Sequence, residues 1–144
     1  VACRTSEGSK EAIGAALAAL RGQGATVSVI FVTNLRSGDL TDLGPEGVLN
    51  DAQYYTEAEA DRIVRSFQSA GFHVKSYFSE AEFMSAALSG ALAAETNERR
   101  LVFTAAEGGS GAGRRAMIPA FCRMMGLPYC NSGPHGCSVA RHKY

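Results

Sequence analysis

Apolar positions along this chain alternate between two spacings. Val27-Ser28-Val29-Ile30-Phe31-Val32 is an almost unbroken β-branched and aromatic run. That is the pattern of a strand buried on both faces of a parallel sheet. Phe72 to Phe78 alternates apolar and polar residues and predicts a second strand, and Leu101 to Thr104 a third. Leu127 to Cys130 predicts a short fourth, near an edge because Pro128 cannot donate to a ladder. Val1 to Cys3 fits the tail of one more. Helical spacing fills the intervals. Ala12, Ile13, Ala16, Leu17 and Leu20 form a stripe closed by Gly22 and Gly24. Thr56 with Glu59 reads as a capping box ahead of Ala60, Ile63, Val64 and Phe67, with Gly71 as the stop. Ser79 with Glu82 repeats the device ahead of Phe83, Met84, Ala87, Leu88, Ala91 and Leu92. Arg114 to Met125 is helical by pattern and ends at Gly126, and Pro134 starts a last helix running to Tyr144. Strands alternating with helices predict an α/β fold. It has three layers, a mostly parallel sheet with helices on both faces. The interval Leu35 to Tyr55 is a long loop, of a length found in compact domains mainly where it is functional or mobile.

Composition narrows the class. The 144 residues suffice for one domain, 1–144, and no repeat or linker divides them. With 46% hydrophobic and 19% charged residues the chain is not a disordered one. Fourteen basic residues balance fourteen acidic ones, which gives no nucleic-acid footprint. No apolar run approaches the roughly 20 residues of a membrane helix. Arg4, Glu7, Lys10 and Glu11 interrupt the N-terminus, so no secretory signal is read and a cytoplasmic location is expected. The cysteines Cys3, Cys122, Cys130 and Cys137 contain no C-x-x-C pair and are expected to be reduced thiols. Cys122, Cys130, His135, Cys137 and His142 lie close in sequence. Their cysteine gaps of seven and six residues do not match tight zinc spacing, so core or surface thiols are expected and no metal site.

Ligands of open α/β sheets bind beyond the carboxyl ends of the strands. Two loops qualify: Thr33-Asn34-Leu35-Arg36, and Ala105 to Arg115. The second holds Glu107, Gly108, Gly109, Ser110 and Gly111, then Gly113, Arg114 and Arg115. Its glycines permit close ligand approach, the helix after it favours an anion, and arginine suits carboxylate or phosphate. It is neither a phosphate-binding G-x-x-x-x-G-K-[ST] loop nor a dinucleotide G-x-G-x-x-G. Composition leaves two readings open: a ligand loop, or a flexible turn with solvated arginines. His73 reads as a packed or exposed strand residue, and Tyr54 and Tyr55 as packing at a helix start or, alternatively, as lining of the site from the long loop. No Ser/His/Asp or Cys/His arrangement is suggested by position, and no catalytic residue is assigned.

The stretch Val102 to Gly108, with Arg114, Pro119, Met124 to Gly133, and Ala140 to Tyr144, resembles the N-terminal domain of the D-alanine–D-alanine ligase family. More broadly it resembles the related ATP-grasp carboxylate–amine ligases. Glu107-Gly108 takes the place of a His-Gly or Glu-Gly pair after a strand. Gly126-Leu127-Pro128-Tyr129 and Ser132-Gly133 match a second block, and His142-Lys143-Tyr144 the exit toward the ATP-grasp lobes. Ala112 and Gly113 stand where the family carries an acidic pair, and Thr33 to Gly38 holds no Ser-x-Glu signature. The likeness is therefore to the D-alanine ligase-related branch. It implies a Rossmann-like, pre-ATP-grasp domain that binds an amino-acid-like substrate through Glu107, Gly108, Gly109, Ser110, Gly111 and Arg114. Lys143 is implied as a contact to nucleotide phosphate. The whole ligase would use ATP and Mg²⁺ to form a peptide or amide bond through an acyl phosphate. None of those cofactors is expected on this chain alone. The ATP-grasp lobes are expected to follow Tyr144, the isolated chain is expected to be inactive, and a homodimer is implied. The alternative is a stand-alone α/β module that binds a small ligand or a partner without catalysis. A flavodoxin-like binder of phosphate through Glu107 to Arg115 is a third reading.

Overall fold

The computed structural model describes residues 7–36, 55–93, 95–106 and 113–139. Three strands, β1 (Thr26–Val32), β2 (His73–Tyr77) and β3 (Glu98–Thr104), pair in parallel in the order β2-β1-β3. β1 is the middle strand. Ile30 sits opposite Lys75 on one side and Val102 on the other. Ser28 through Asn34 are all buried, as a strand with neighbours on both edges requires. β3 starts at Glu98, earlier than the Leu101 expected from apolar pattern. Its first residues pair through their backbone with Thr26 to Ser28, and a ladder needs no apolar side chain to form. The predicted fourth strand is a single bridge between Tyr129 and Val102, made by Val102 N–H to the Pro128 carbonyl and Cys130 N–H to the Val102 carbonyl, both 2.8 Å. It lies outside β3, where the missing Pro128 N–H costs nothing.

Helices α1 (Glu7–Gly22), α2 (Glu57–Ser69), α3 (Glu80–Leu88), α4 (Met117–Met124) and α5 (Pro134–Val139) occupy the intervals. The α2 capping box forms as expected: Thr56 Oγ1 accepts from Glu59 N–H, and the Glu59 carboxylate accepts from Thr56 N–H at 2.9 Å. At α3 only half of the device forms. Ser79 caps Glu82 N–H, while the Glu82 carboxylate accepts from Phe78 N–H, one residue further out. α3 stops at Leu88, short of the apolar pattern, because Gly90 turns the chain at φ +79°. Leu92 still reaches the core from the turn that follows. Arg114 to Met125 divides into a 3₁₀ turn, Arg114–Ala116, and then α4. Pro119 stands in the first turn of α4, where a missing N–H breaks no helical bond.

Alternation along the strands sends β1 side chains to two packed groups. Ile30 and Val32 join Val102, Phe83, Leu92, Ile118 and Cys122 in one buried cluster. Phe83 makes edge contacts with Tyr77 and Phe121, at 5.9 and 5.8 Å between ring centroids. Phe31, of opposite parity, meets Phe103 at 5.9 Å, and Phe67 of α2 packs edge-on against Phe103 at 5.3 Å. Arg21 ties α1 to the end of α2 by donating to the Ala70 and Gly71 carbonyls at 2.8 and 3.1 Å. A cation there also suits the negative end of the helix. Gly71 has φ +82°, and a Cβ at this position would lie 2.5 Å from the Arg21 guanidinium, so both backbone and space call for glycine. Among the described residues no helix is long and apolar enough to cross a membrane.

Two expectations follow. Phe83 is fully buried between α3, Tyr77 and Phe121. Phe83→Ala should lower the stability by about 3–5 kcal/mol, read from urea unfolding. Glu98 supplies a pH dependence. The Ser28 hydroxyl holds its carboxyl below the ordinary 4.5. The Glu95 N–H and the Arg100 guanidinium act in the same direction, against partial burial. A lowered folded pKa stabilises the fold above 4.5, and the benefit is lost as pH falls through the folded value. Glu98→Gln should therefore be less stable near neutrality and lose less on acidification below 4.5, which urea midpoints across that range measure.

Candidate functional site

The parallel strands bring three segments together at their carboxyl ends. β1 runs into Thr33 and Asn34, β3 into Ala105 and Ala106, and the Tyr129 bridge into Asn131-Ser132-Gly133. Ala105 N–H donates to the Val32 carbonyl at 2.8 Å, so the exit of β3 is pinned to the exit of β1. The Thr104 hydroxyl accepts from Ala106 N–H at 3.2 Å and turns the chain off the sheet.

A cavity of about 210 Å³ lies at this edge, lined by Thr104, Ala106, Arg115, Asn131, Ser132 and Cys137 among others. Asn131 builds its wall. Its φ is +96°, and its amide donates to the Thr104 carbonyl at 2.7 Å. That bond spans two loops and holds the Ser132-Gly133 segment against the end of β3. The Cys137 thiol donates to the Ser132 carbonyl at 3.2 Å, and Cys137 N–H to the Gly133 carbonyl at 3.0 Å. Gly136 packs on Ser132, where a Cβ would lie 3.3 Å from the serine Cβ. The cavity thus offers a cationic side chain, a hydroxyl and a thiol above a floor of strand-end backbone. Such a donor-rich recess suits a small carboxylate.

Beside it, Asn34 donates to the Glu80 carboxylate at 2.6 Å, with both side chains buried. The bond joins the end of β1 to the first turn of α3, where a carboxylate is also favoured by the helix. Thr33 is fully buried, and its hydroxyl has no hydrogen-bond partner among the described residues. Leu35 and Tyr55 form a parallel bridge, with Tyr55 N–H to the Asn34 carbonyl at 3.0 Å and Arg36 N–H to the Tyr55 carbonyl at 2.8 Å. The chain on either side of residues 37–54 is therefore fastened together at this same end of the sheet.

Of the residues singled out in the sequence, Arg114 lies half-buried in the 3₁₀ turn at the far end of the glycine loop. Its neighbour Arg115 is the one that lines the cavity. Glu107, Gly108, Gly109, Ser110 and Gly111, and Lys143, fall outside the described residues, as does Tyr54. Ala106 and Gly113, which bracket the loop, stand at the cavity edge and at the start of the turn before α4. His73 is an exposed strand residue, one of the two placements expected. Cys122 belongs to the core, and burial pushes its thiol up to about 11. Burial also raises the Cys130 thiol. In both, burial disfavours the thiolate, the nucleophilic form. Among the described residues no three His, Cys, Asp or Glu side chains converge on a metal position. Asn131 and Glu80 carried no role of their own in the sequence reading, whereas Arg115 and Asn34 belonged to the two candidate loops and Cys137 to the expected thiols. The asparagine had a visible signal, since Asn ahead of Ser-Gly-Pro suits a positive-φ turn after a strand.

No protein-family model, curated protein or solved structure matches this chain.

Asn131 offers a two-way test of the cavity wall. Asn131→Ala loses the bond to Thr104 and strains a Cβ residue at positive φ. Asn131→Gly loses the bond alone. The alanine variant should be destabilised by about 1–2 kcal/mol, with glycine between it and the parent, in urea unfolding.

Proposed function

We propose that this chain is the N-terminal, substrate-binding domain of an ATP-dependent carboxylate–amine ligase of the D-alanine–D-alanine ligase-related kind. The observation that carries the reading is the cavity at the carboxyl end of the sheet. Arg115, Asn131 and Ser132 line it, and the segments that frame it are the ones that resemble the family. The glycine loop leaves β3 at the cavity, and the Gly126-Leu127-Pro128-Tyr129 block supplies the edge bridge before Asn131. The strand order β2-β1-β3 with Tyr129 outside β3 is compatible with a three-layer, Rossmann-like pre-ATP-grasp domain. So is the presence of helix contacts to side chains of both strand parities.

In this reading the domain holds the amino-acid-like substrate. Arg115 meets its carboxylate, while Asn131 fixes the loop that carries Ser132. Glu107, Gly108, Gly109, Ser110, Gly111 and Arg114 are the further substrate contacts that the resemblance implies, with Lys143 directed to nucleotide phosphate. When bound in the complete enzyme, ATP with Mg²⁺ supplies the activation of a carboxylate as an acyl phosphate. In the complete enzyme of this reading, the ATP-grasp lobes would hold the Mg²⁺. A cytoplasmic location and a homodimer belong to the same proposal.

The test starts from the native polypeptide. Its intact mass should be well above 15.2 kDa, and it should release phosphate from ATP only when amino acids and Mg²⁺ are present. Arg115→Ala should raise the KM for the amino acid by about 10-fold or more. A native mass of 15.2 kDa would overturn the ligase reading and leave a small-ligand or interaction module. Amino-acid-independent ATP turnover unaffected by Arg115→Ala would also overturn it.

A further inference from the structure

The amino end of the sheet breaks the rule that its middle obeys. Parallel sheets are covered on both faces and read as apolar throughout. Ile30, Val32 and Val102 follow that rule on the face that packs with α3 and α4. Toward the amino ends of the same strands, the same face carries only polar side chains. Ser28, His73, Lys75, Glu98 and Arg100 lie on three adjacent strands, with Ser28 opposite both His73 and Arg100, and Lys75 opposite Ile30. With Ala91, Leu92, Ala93, Glu95 and Thr96 they line a groove of about 340 Å³. This lies within the usual size range of small-ligand sites. Glu98 and Thr104 are six residues apart on β3, at ~3.3 Å each, so the groove is separate from the cavity at the other edge.

The groove is organised rather than loosely solvated. The Ser28 side chain is 8% exposed and hydrogen-bonds to the Glu98 carboxylate. Glu98 also accepts from Glu95 N–H at 3.2 Å and faces Arg100 Nε at 3.6 Å. The two charged side chains are 18% and 16% exposed. Lys75 Nζ donates to the Ala91 carbonyl at 3.3 Å and stands 5.6 Å from the centre of the Tyr77 ring. The Glu98 carboxylate is served by three internal partners. Among the described residues the Lys75 ammonium donates once and Arg100 faces Glu98 through Nε, so both carry further N–H donors. His73 adds a ring nitrogen at the rim. The one other acid in the lining is Glu95, whose side chain is exposed.

We propose that this groove is a second ligand site, which takes a small organic anion, a carboxylate or phosphate ester, between Lys75 and Arg100. Glu98 and Ser28 orient Arg100 and do not contact the ligand. The site is independent of the ligase reading, since it shares no residue with the cavity at the carboxyl edge.

The experiment is a titration of the ¹⁵N-labelled chain with malonate, and separately with inorganic phosphate, at ionic strength held constant with sodium chloride. Saturable amide shifts are expected at Ser28, Lys75, Ala93 and Arg100, with Thr104 and Asn131 unmoved. A stronger response to malonate assigns a carboxylate ligand, and a stronger response to phosphate a phosphate ester. Lys75 is exposed, so Lys75→Gln should fold as the parent does and weaken binding by about 10-fold. Glu95→Gln should tighten it. Non-saturable shifts, shifts that sodium chloride alone reproduces, or unchanged binding in Lys75→Gln would overturn the proposal. Shifts centred on Asn131 to Cys137 would overturn it as well.

Discussion

Burial of β1 on both faces and along both edges is the constraint on which the molecule rests. A strand so placed has no route to water for its side chains or its backbone. Its residues must be apolar, and its N–H and C=O groups must all be taken by β2 and β3. Val29, Ile30, Phe31 and Val32, each no more than 2% exposed, meet the first demand. The two parallel ladders meet the second. Helix placement then follows from side-chain parity. Phe83 and Ile118 complete the group around Ile30 and Val32, and Phe67 completes the group around Phe103.

The same strand explains why chemistry gathers at the sheet's ends. Once its middle is sealed, polar groups can collect only where the strands stop. At the carboxyl ends, the chain must turn away from the sheet, and the turns are held by side-chain to backbone bonds from Thr104 and Asn131. Those bonds leave a recess between loops. At the amino ends the covering helices fall short, and the strands carry charge on a face that is otherwise core. Both polar regions are therefore products of where apolar cover stops.

Much of the site's framework was legible in the sequence, but its inner surface was not. Glycine density and a following helix singled out the loop after β3, and Ala105 and Ala106 at its start line the recess. Which arginine turns toward the cavity was not legible. Arg114 and Arg115 are adjacent, and the helical pattern gave them one shared helix. A 3₁₀ turn intervenes before α4, and Arg115 is the arginine that lines the recess. Asn131 was similarly visible as a turn residue but not as a strut. Its partner carbonyl, at Thr104, is 27 residues away in the chain. The polar strand face was hidden for the same reason. Glu98 and Arg100 lie in a charged run ahead of the apolar Leu101, and only pairing with Thr26 to Ser28 draws them into β3.

What the sequence determined by itself is local. Side-chain period separates strand from helix, Thr56 and Ser79 set helix starts, and Gly71 sets a stop through its own backbone freedom. These signals reside within a few residues, so they are readable without the fold. Tertiary structure decided what depends on neighbours distant in the chain. It set β1 as the central strand and reduced the fourth strand to one bridge at Tyr129. It also joined Asn34 to Glu80, and Ser28 to Glu98. Each of those contacts closes a long loop at an entropic cost. That cost is met only when the packed sheet assembles as a whole.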